Sequence, residues 1–374
     1  MKRFICALGF LPALFASEIY DLKSHGHPQY QDIFLNGEVV SKASGYERFE
    51  EKRFAVLDSI LSRYTRPFTM LDVGASQGYF TFRAADKYPE GIFVMLEGSN
   101  YHYPKISQQL RSICRANTNS KNVIWLDRSI YAKDFARMAT CEHFDVILAQ
   151  NILHWFKDDW EILLNSFLQM SHVTIIELPP NDCKKGSKQY LLRNELHAHL
   201  SETATQVLEG VPRHTNPRLK TTYYIFINEK GETNLQRNSM VHGDYKDRDH
   251  LITFDFEAKK FIKRDHKPPF MEECIEWEPG INLLTYLCLN GQYPQRDVIA
   301  NLLPINRNHK DWMPNNMILQ GHKLTLIDFD DWKNERGGFG QNCCSKARIE
   351  KLKRLIRHGD EQKVKEFLWG KKKK

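Results

Sequence analysis

The stretch MLDVGASQGYFTF (70–82) limits what this chain can fold into more than any other part of it. An apolar run reaches Asp72, and two glycines four residues apart, Gly74 and Gly78, follow before the sequence turns aromatic. Glycine is needed where a chain turns tightly or where backbone must come close to another group. An apolar strand that hands over through Gly74 and Gly78 to a helix is therefore a strand–turn–helix unit. The first N–H groups of that helix have no partner within it and point at whatever occupies the turn.

The flanking sequence repeats this rhythm. ERFEEKRFAVLDSILSRY (47–64) places Phe54, Leu57, Ile60 and Leu61 on one helical face. FTMLDVG (68–74), GIFVMLEGS (91–99), NVIWLDRS (122–129), FDVILAQN (144–151) and VTIIELPP (173–180) read as strands. GYFTFRAADKY (78–88) and DWEILLNSFLQM (159–170) read as helices. The alternation predicts an α/β fold over residues 51–228, with a doubly wound, mostly parallel sheet. The strands are continuous apolar runs, which predicts that both faces of the sheet are covered. Residues 17–50 form a polar and aromatic extension with no strong period.

Sheets of this kind bind ligands at the carboxyl ends of their strands. Glu97 stands 19 residues after Gly78, at the end of the second strand, where a carboxylate can grip ribose hydroxyls. The glycine spacing differs from the GxGxxG of dinucleotide-binding folds, which argues against a dehydrogenase.

LDVGASQGYF resembles the first motif of class I S-adenosylmethionine (SAM)-dependent methyltransferases, and the resemblance extends over roughly residues 50–228. It implies a seven-stranded Rossmann-like sheet with a reversed final hairpin, for which TTYYIFINEK (221–230) suits the last strand. It also implies SAM as cofactor. By resemblance Asp72, Gly74, Ala75 and Gly78 form the first cofactor motif, and Glu97 binds ribose. Asp127, in WLDRS, lies against the adenine edge, and Gln150, in FDVILAQNILHWF, borders the methyl group.

Methyl transfer from a sulfonium needs no metal; the enzyme mainly aligns the acceptor with the methyl carbon. A hydroxyl acceptor also needs a base, and His154 and Glu177 lie at strand carboxyl ends where one would stand. The competing readings are a histidine packed beside Trp155 without proton transfer, and a structural or substrate-binding Glu177. The expected acceptor is a small molecule, a sugar or a lipid-linked group. DNA amino-methylation is disfavoured, because the fourth strand ends in QNILHW and LPPND (178–182) follows the fifth strand instead.

Residues 229–370 have a different texture, rich in charge, Trp and Pro. NHKDWMPNNMILQGHKLTLIDFDDW (308–332) contains HxDxxxxN at His309, Asp311 and Asn316, then an apolar strand, a turn and Asp328, twelve residues after Asn316. This looks like the catalytic loop and metal-binding strand of aminoglycoside-phosphotransferase-like and protein-kinase-like enzymes. There the first Asp orients the acceptor hydroxyl, while the Asn and the last Asp hold magnesium for ATP. CIEWEPGINLLTYL (274–287) resembles a kinase hinge followed by a helix, and ITFDFEAKKFIKRD (252–265) a hairpin carrying a lysine, Lys263. The segment lacks a glycine-rich loop and reads DFD in place of DFG. Chain-terminating enzymes of O-antigen synthesis also fuse a methyltransferase to a kinase. The resemblance therefore leaves two expectations open, a Mg-ATP phosphotransferase and an abbreviated accessory domain.

Net charge is +7, four of it from the terminal lysines 371–374, which read as a solvated basic tail, so no specific nucleic-acid partner is expected. The eight cysteines form no CxxC pair, so no metal site is expected. Lys2, Arg3 and the apolar run from Phe4 to Ala16 form either a signal peptide (1–16) or an apolar segment touching a membrane surface through residues 4–16. SAM is a cytoplasmic metabolite, so the expected location is cytoplasmic, with export or membrane association as the alternative. A non-catalytic binding protein that keeps the fold is the remaining alternative to an enzyme.

Overall fold

A computed structural model describes residues 29–43, 49–99, 105–129, 131–213, 216–228, 232–235, 250–255, 260–265, 272–276, 278–289 and 317–326. The apolar run at 1–16, the basic tail, His309, Asp311, Asn316 and Asp328 lie outside the described residues.

Seven strands form one sheet: β3 (Thr69–Val73), β4 (Ile92–Leu96), β5 (Val123–Leu126), β6 (Phe144–Gln150), β7 (Ser171–Leu178), β8 (Gln206–Arg213) and β9 (Asn216–Ile227). Their order is β5-β4-β3-β6-β7-β9-β8. The first five run parallel, while β9 lies antiparallel to both β7 and β8. This is a mostly parallel α/β sheet with a reversed final hairpin. The expected last strand is in place, but it fills the inner position, and β8 forms the edge.

Successive strand residues point to opposite faces. Leu71, Val73, Val94, Leu96, Ile147 and Ala149 join one core, and Met70, Phe93, Met95, Val146 and Leu148 the other. That two-sided burial is the reason the strands read as unbroken apolar runs. Helices α1 (Glu50–Leu61), α2 (Tyr79–Lys87) and α3 (Ile106–Ala116) cover the second face. Helices α4 (Ala132–Met138), α5 (Trp160–Met170) and α6 (Lys188–Thr203) cover the first. Ser187 caps α6 by accepting the Tyr190 N–H at 3.2 Å.

Ahead of α1 stands a hairpin, β1 (Ile33–Leu35) with β2 (Glu38–Ser41). Its turn residues Asn36 and Gly37 both take positive φ, 47° and 96°. The hairpin is tied to the sheet domain through Asn117, whose Oδ1 accepts the Asn36 N–H at 2.9 Å.

Beyond residue 228, β10 (Glu232–Leu235), β11 (His250–Asp255), β12 (Lys260–Asp265) and β13 (Glu272–Glu276) form an antiparallel four-stranded sheet. The hairpin expected at 252–265 is the β11–β12 pair. A second sheet joins β14 (Ile281–Asn282), β15 (Met317–Gln320) and β16 (Lys323–Leu326), with helix α7 (Leu283–Leu289) between β14 and β15. This unit shares the core of the large sheet: Ile281, Leu283, Tyr286, Leu289 and Leu319 belong to its first apolar cluster. It is fastened at the amino ends of the parallel strands. The Gly280 N–H donates to Thr69 Oγ1 at 2.6 Å, the Asn282 N–H to the Glu142 carboxylate at 3.2 Å, and the His322 N–H to the Lys121 carbonyl at 2.9 Å. No helix among the described residues is long and apolar enough to cross a membrane.

Candidate functional site

The strand order reverses at β3: the chain continues to β4 and β5 on one side and returns to β6 and β7 on the other, so that α2 after β3 and α5 after β6 diverge to opposite faces. That divergence opens a crevice at the carboxyl ends. The sequence-derived residues gather there. Asp72 is the penultimate residue of β3, with Gly74, Ala75 and Gly78 in the loop to α2. Glu97 and Asp127 follow β4 and β5, and Gln150 ends β6. Gln150 lies directly opposite Glu177 in the β6–β7 register. His154 sits in a short 3-10 turn after β6.

The turn after β3 is bound tightly to β4. The N–H groups of Gly74 and Ala75 both donate to the Leu96 carbonyl, at 2.9 and 3.3 Å. Ser76 takes φ 53°, which turns its N–H onto Glu97 Oε2 at 2.9 Å, and the Gly98 N–H donates to Oε1 at 3.1 Å. Glu97 is thus aimed by backbone alone. Burial pushes its carboxyl up to about 7, opposed by those two N–H bonds and assisted by the Asp72 and Asp127 charges. Asp72 is buried and accepts the Thr81 hydroxyl at 2.7 Å, and burial pushes it, too, up to about 7.

Both glycines have positive φ, +73° at Gly74 and +76° at Gly78. The groups that fill their missing side-chain volume belong to the protein. A Cβ on Gly74 would stand 2.5 Å from Ile152 Cδ1, and one on Gly78 would stand 2.8 Å from Phe82 Cε2. The glycines therefore seat side chains of the loop after β6 and of α2. The helix start also differs from the expectation of open N–H groups, since the Tyr79 N–H donates to Gln31 Oε1 at 3.3 Å. Gln31, from the strand-poor segment before β1, also donates its own N–H to Gln77 Oε1 at 3.0 Å. Sequence reading passed over Gln31 and Gln77, which carry no pattern of their own.

Asp127 is buried and pairs with Arg111 Nη2 at 3.1 Å. The Gln150 side-chain nitrogen is buried and has no hydrogen-bond partner among the described residues. The His154 residue is 6% exposed, and its ring lies 5.1 Å from that of Trp155, which is 57% exposed.

Glu177 stands apart from the others. Its side chain is 0% exposed and faces Arg53 of α1, 6% exposed. Arg53 Nε donates to both carboxylate oxygens, at 3.2 and 3.1 Å, and Nη2 makes a short contact with Oε2. Burial opposes the Arg53 charge, but Glu177 outweighs it and holds the guanidinium above its ordinary range. To meet an acceptor proton this carboxylate would have to turn away from the guanidinium that holds both of its oxygens.

No family model matches the chain, and no curated protein matches it. Among solved structures, WbdD bound to a kinase inhibitor is similar, at 16% identity over 83% of this chain and 82% of that one, with a TM-score of 0.45. A further WbdD structure, described as a bifunctional kinase-methyltransferase, is similar at 16% identity over 83% of this chain and 81% of that one, TM-score 0.45. The mitomycin 7-O-methyltransferase MmcR is similar at 16% identity over 43% of this chain and 49% of that one, TM-score 0.31. At these values none of them assigns a role to any residue here.

Proposed function

We propose that this chain is a SAM-dependent methyltransferase acting on a small-molecule, sugar or lipid-linked acceptor. The observation that carries the reading is the backbone-aimed Glu97 carboxylate at the reversal point of the sheet, beside Asp72 and the left-handed turn at Ser76. A carboxylate fixed by two N–H groups keeps lone pairs for two ligand hydroxyls, which is what a ribose diol presents. The buried, unpartnered Gln150 amide on the neighbouring strand suits a polar ligand group lying across β3 and β6.

When bound, SAM supplies a methyl group on a cationic sulfur. Glu97 would accept from the ribose, Asp127 would face the adenine edge, and Gln150 would border the methyl-bearing sulfur. Asp72 adds negative potential near Glu97, which favours a cationic ligand. Of the two candidate bases, His154 is the one to receive an acceptor proton, because Glu177 is committed to Arg53. Trp155, exposed beside it, would flank the acceptor.

Calorimetric titration of the full chain with SAM tests the reading. Saturable binding, weakened about tenfold to a hundredfold in Glu97→Gln, is the expected result, the scale of one lost hydrogen bond to a charged group. A folded chain without SAM affinity would overturn it in favour of a non-catalytic binding protein.

A second reading, phosphotransfer with Mg-ATP, is favoured by the order of elements beyond residue 228. A hairpin carrying Lys263, a strand over Glu272–Glu276, helix α7 and the β15–β16 hairpin follow in the sequence that the kinase resemblance implies. The test is magnesium-dependent ATP binding that Asp328→Ala abolishes; its absence would leave an accessory domain.

A further inference from the structure

Arg53 and Glu177 are the most deeply buried ion pair among the described residues, and they lie at the edge of the crevice. Taking both charges out of water costs several kcal/mol each, and well-packed apolar residues of similar size often serve stability as well. Stability alone therefore gives a weak reason for the pair.

Its connections give a stronger one. Glu177 holds the residue that follows the neighbouring strand β6 at two points: its carbonyl accepts the Asn151 N–H at 2.8 Å, and its Oε2 accepts Asn151 Nδ2 at 3.2 Å. Asn151 is in the left-handed region, φ 54°, immediately after Gln150. Asparagine visits this region more readily than other side-chain-bearing residues, and the two bonds to Glu177 hold it there. The next residue, Ile152, fills the space above Gly74. Arg53 in turn rests near the Phe80 ring of α2, 5.7 Å from its centroid. A continuous path thus runs from α1 through Arg53, Glu177 and Asn151 to the Gln150 amide and to Ile152 over the first glycine.

We propose that Arg53 and Glu177 are positioning residues for the methyl-side wall of the cofactor site. They fix the Asn151 corner, so that Gln150 and Ile152 meet the ligand at β3 in one arrangement. The proposal rests on the SAM reading above and assigns Glu177 a role other than proton transfer.

The test uses the full chain and two ligands, SAM and S-adenosylhomocysteine, which lacks the methyl group. Three proteins are titrated with both and melted: the natural chain, the double variant Arg53→Met/Glu177→Leu, and Asn151→Gly. Asn151→Gly tolerates the left-handed corner but loses the side-chain tether, and it keeps the test valid if the double variant does not fold. The expected result is SAM affinity reduced about tenfold, S-adenosylhomocysteine affinity reduced less, and melting of Asn151→Gly close to that of the natural chain. Equal loss for both ligands, or no loss in folded variants, would overturn the proposal and leave the pair a structural one. If the natural chain binds neither ligand, the SAM reading fails first and this proposal with it.

Discussion

The Ser76 N–H points at Glu97 Oε2 from 2.9 Å, across the gap between two neighbouring strand ends. It does so because Ser76 is left-handed, φ 53°, between two glycines that share that hand. The turn and the carboxylate are one device: the backbone bends to aim a charge.

That device is sensitive to protons. Glu97 and Asp72 are each pushed up to about 7, whereas in an unfolded chain carboxyls titrate near 4. The folded state therefore holds more protons than the unfolded one between those values. The resulting stability is fully present below about pH 4 and lost as pH rises through about 7. Ligand binding has the opposite sign, because ribose hydroxyls donate to the ionised form. SAM affinity should rise by up to about tenfold per pH unit toward 7 and level off above 8. Titrations from pH 5.5 to 8.5 measure this, and a flat profile would remove Glu97 from the ribose.

The Gly74–Ile152 contact gives a second prediction. Gly74→Ala places a side chain at φ +73° and 2.5 Å from Ile152 Cδ1, so it should cost about 1–3 kcal/mol. Ile152→Val removes the offending methyl and should restore part of the loss in the double variant. Thermal melts of the three proteins check it. Additive losses would mean that the two residues do not meet.

Much of this architecture is legible in the sequence. Met70–Val73, Ile92–Leu96 and Phe144–Gln150 are apolar runs because both sheet faces are covered, and Asp72, Glu97 and Gln150 at their carboxyl ends mark the crevice. The N-terminal hairpin is hard to read from sequence although Asn36-Gly37 is a strong turn signal, because the strands beside it are only three and four residues long. Strand β8 leaves no strand pattern in the sequence because Gly210 and Pro212 interrupt it, with register shifts at Pro212, as an edge strand tolerates. Glu177 read as a candidate base because sequence shows a carboxylate at a strand end but not the arginine that meets it, 124 residues away on α1.

Removing one member of the Arg53–Glu177 pair should be far worse than removing both. Arg53→Ala strands a fully buried carboxylate and should cost about 3–5 kcal/mol at pH 8. The stranded group would take up a proton, so the deficit should shrink as pH falls toward 5, while Arg53→Met/Glu177→Leu should show no such pH dependence. Denaturant melts at the two pH values decide this. A deficit that does not change with pH would mean that water or another cation reaches Glu177.

The last prediction concerns the unit around α7. Tyr286 is fully buried and shares its apolar cluster with Phe144, Phe167 and Met170 of the large sheet and α5. Its contacts lie toward the amino ends of the strands, where Thr69, Lys121 and Glu142 receive Gly280, His322 and Asn282, and the proposed cofactor site is at the opposite ends. Tyr286→Ala should therefore lower stability by about 3–5 kcal/mol while leaving SAM affinity at low temperature within about twofold. By the same argument a chain ending at residue 228 should melt well below the full chain, because it exposes the apolar surface that Ile281, Leu283 and Leu289 cover. Differential scanning calorimetry of the variant and the shortened chain measures both. Unchanged melting would mean that the unit is a passenger on the sheet rather than part of its core.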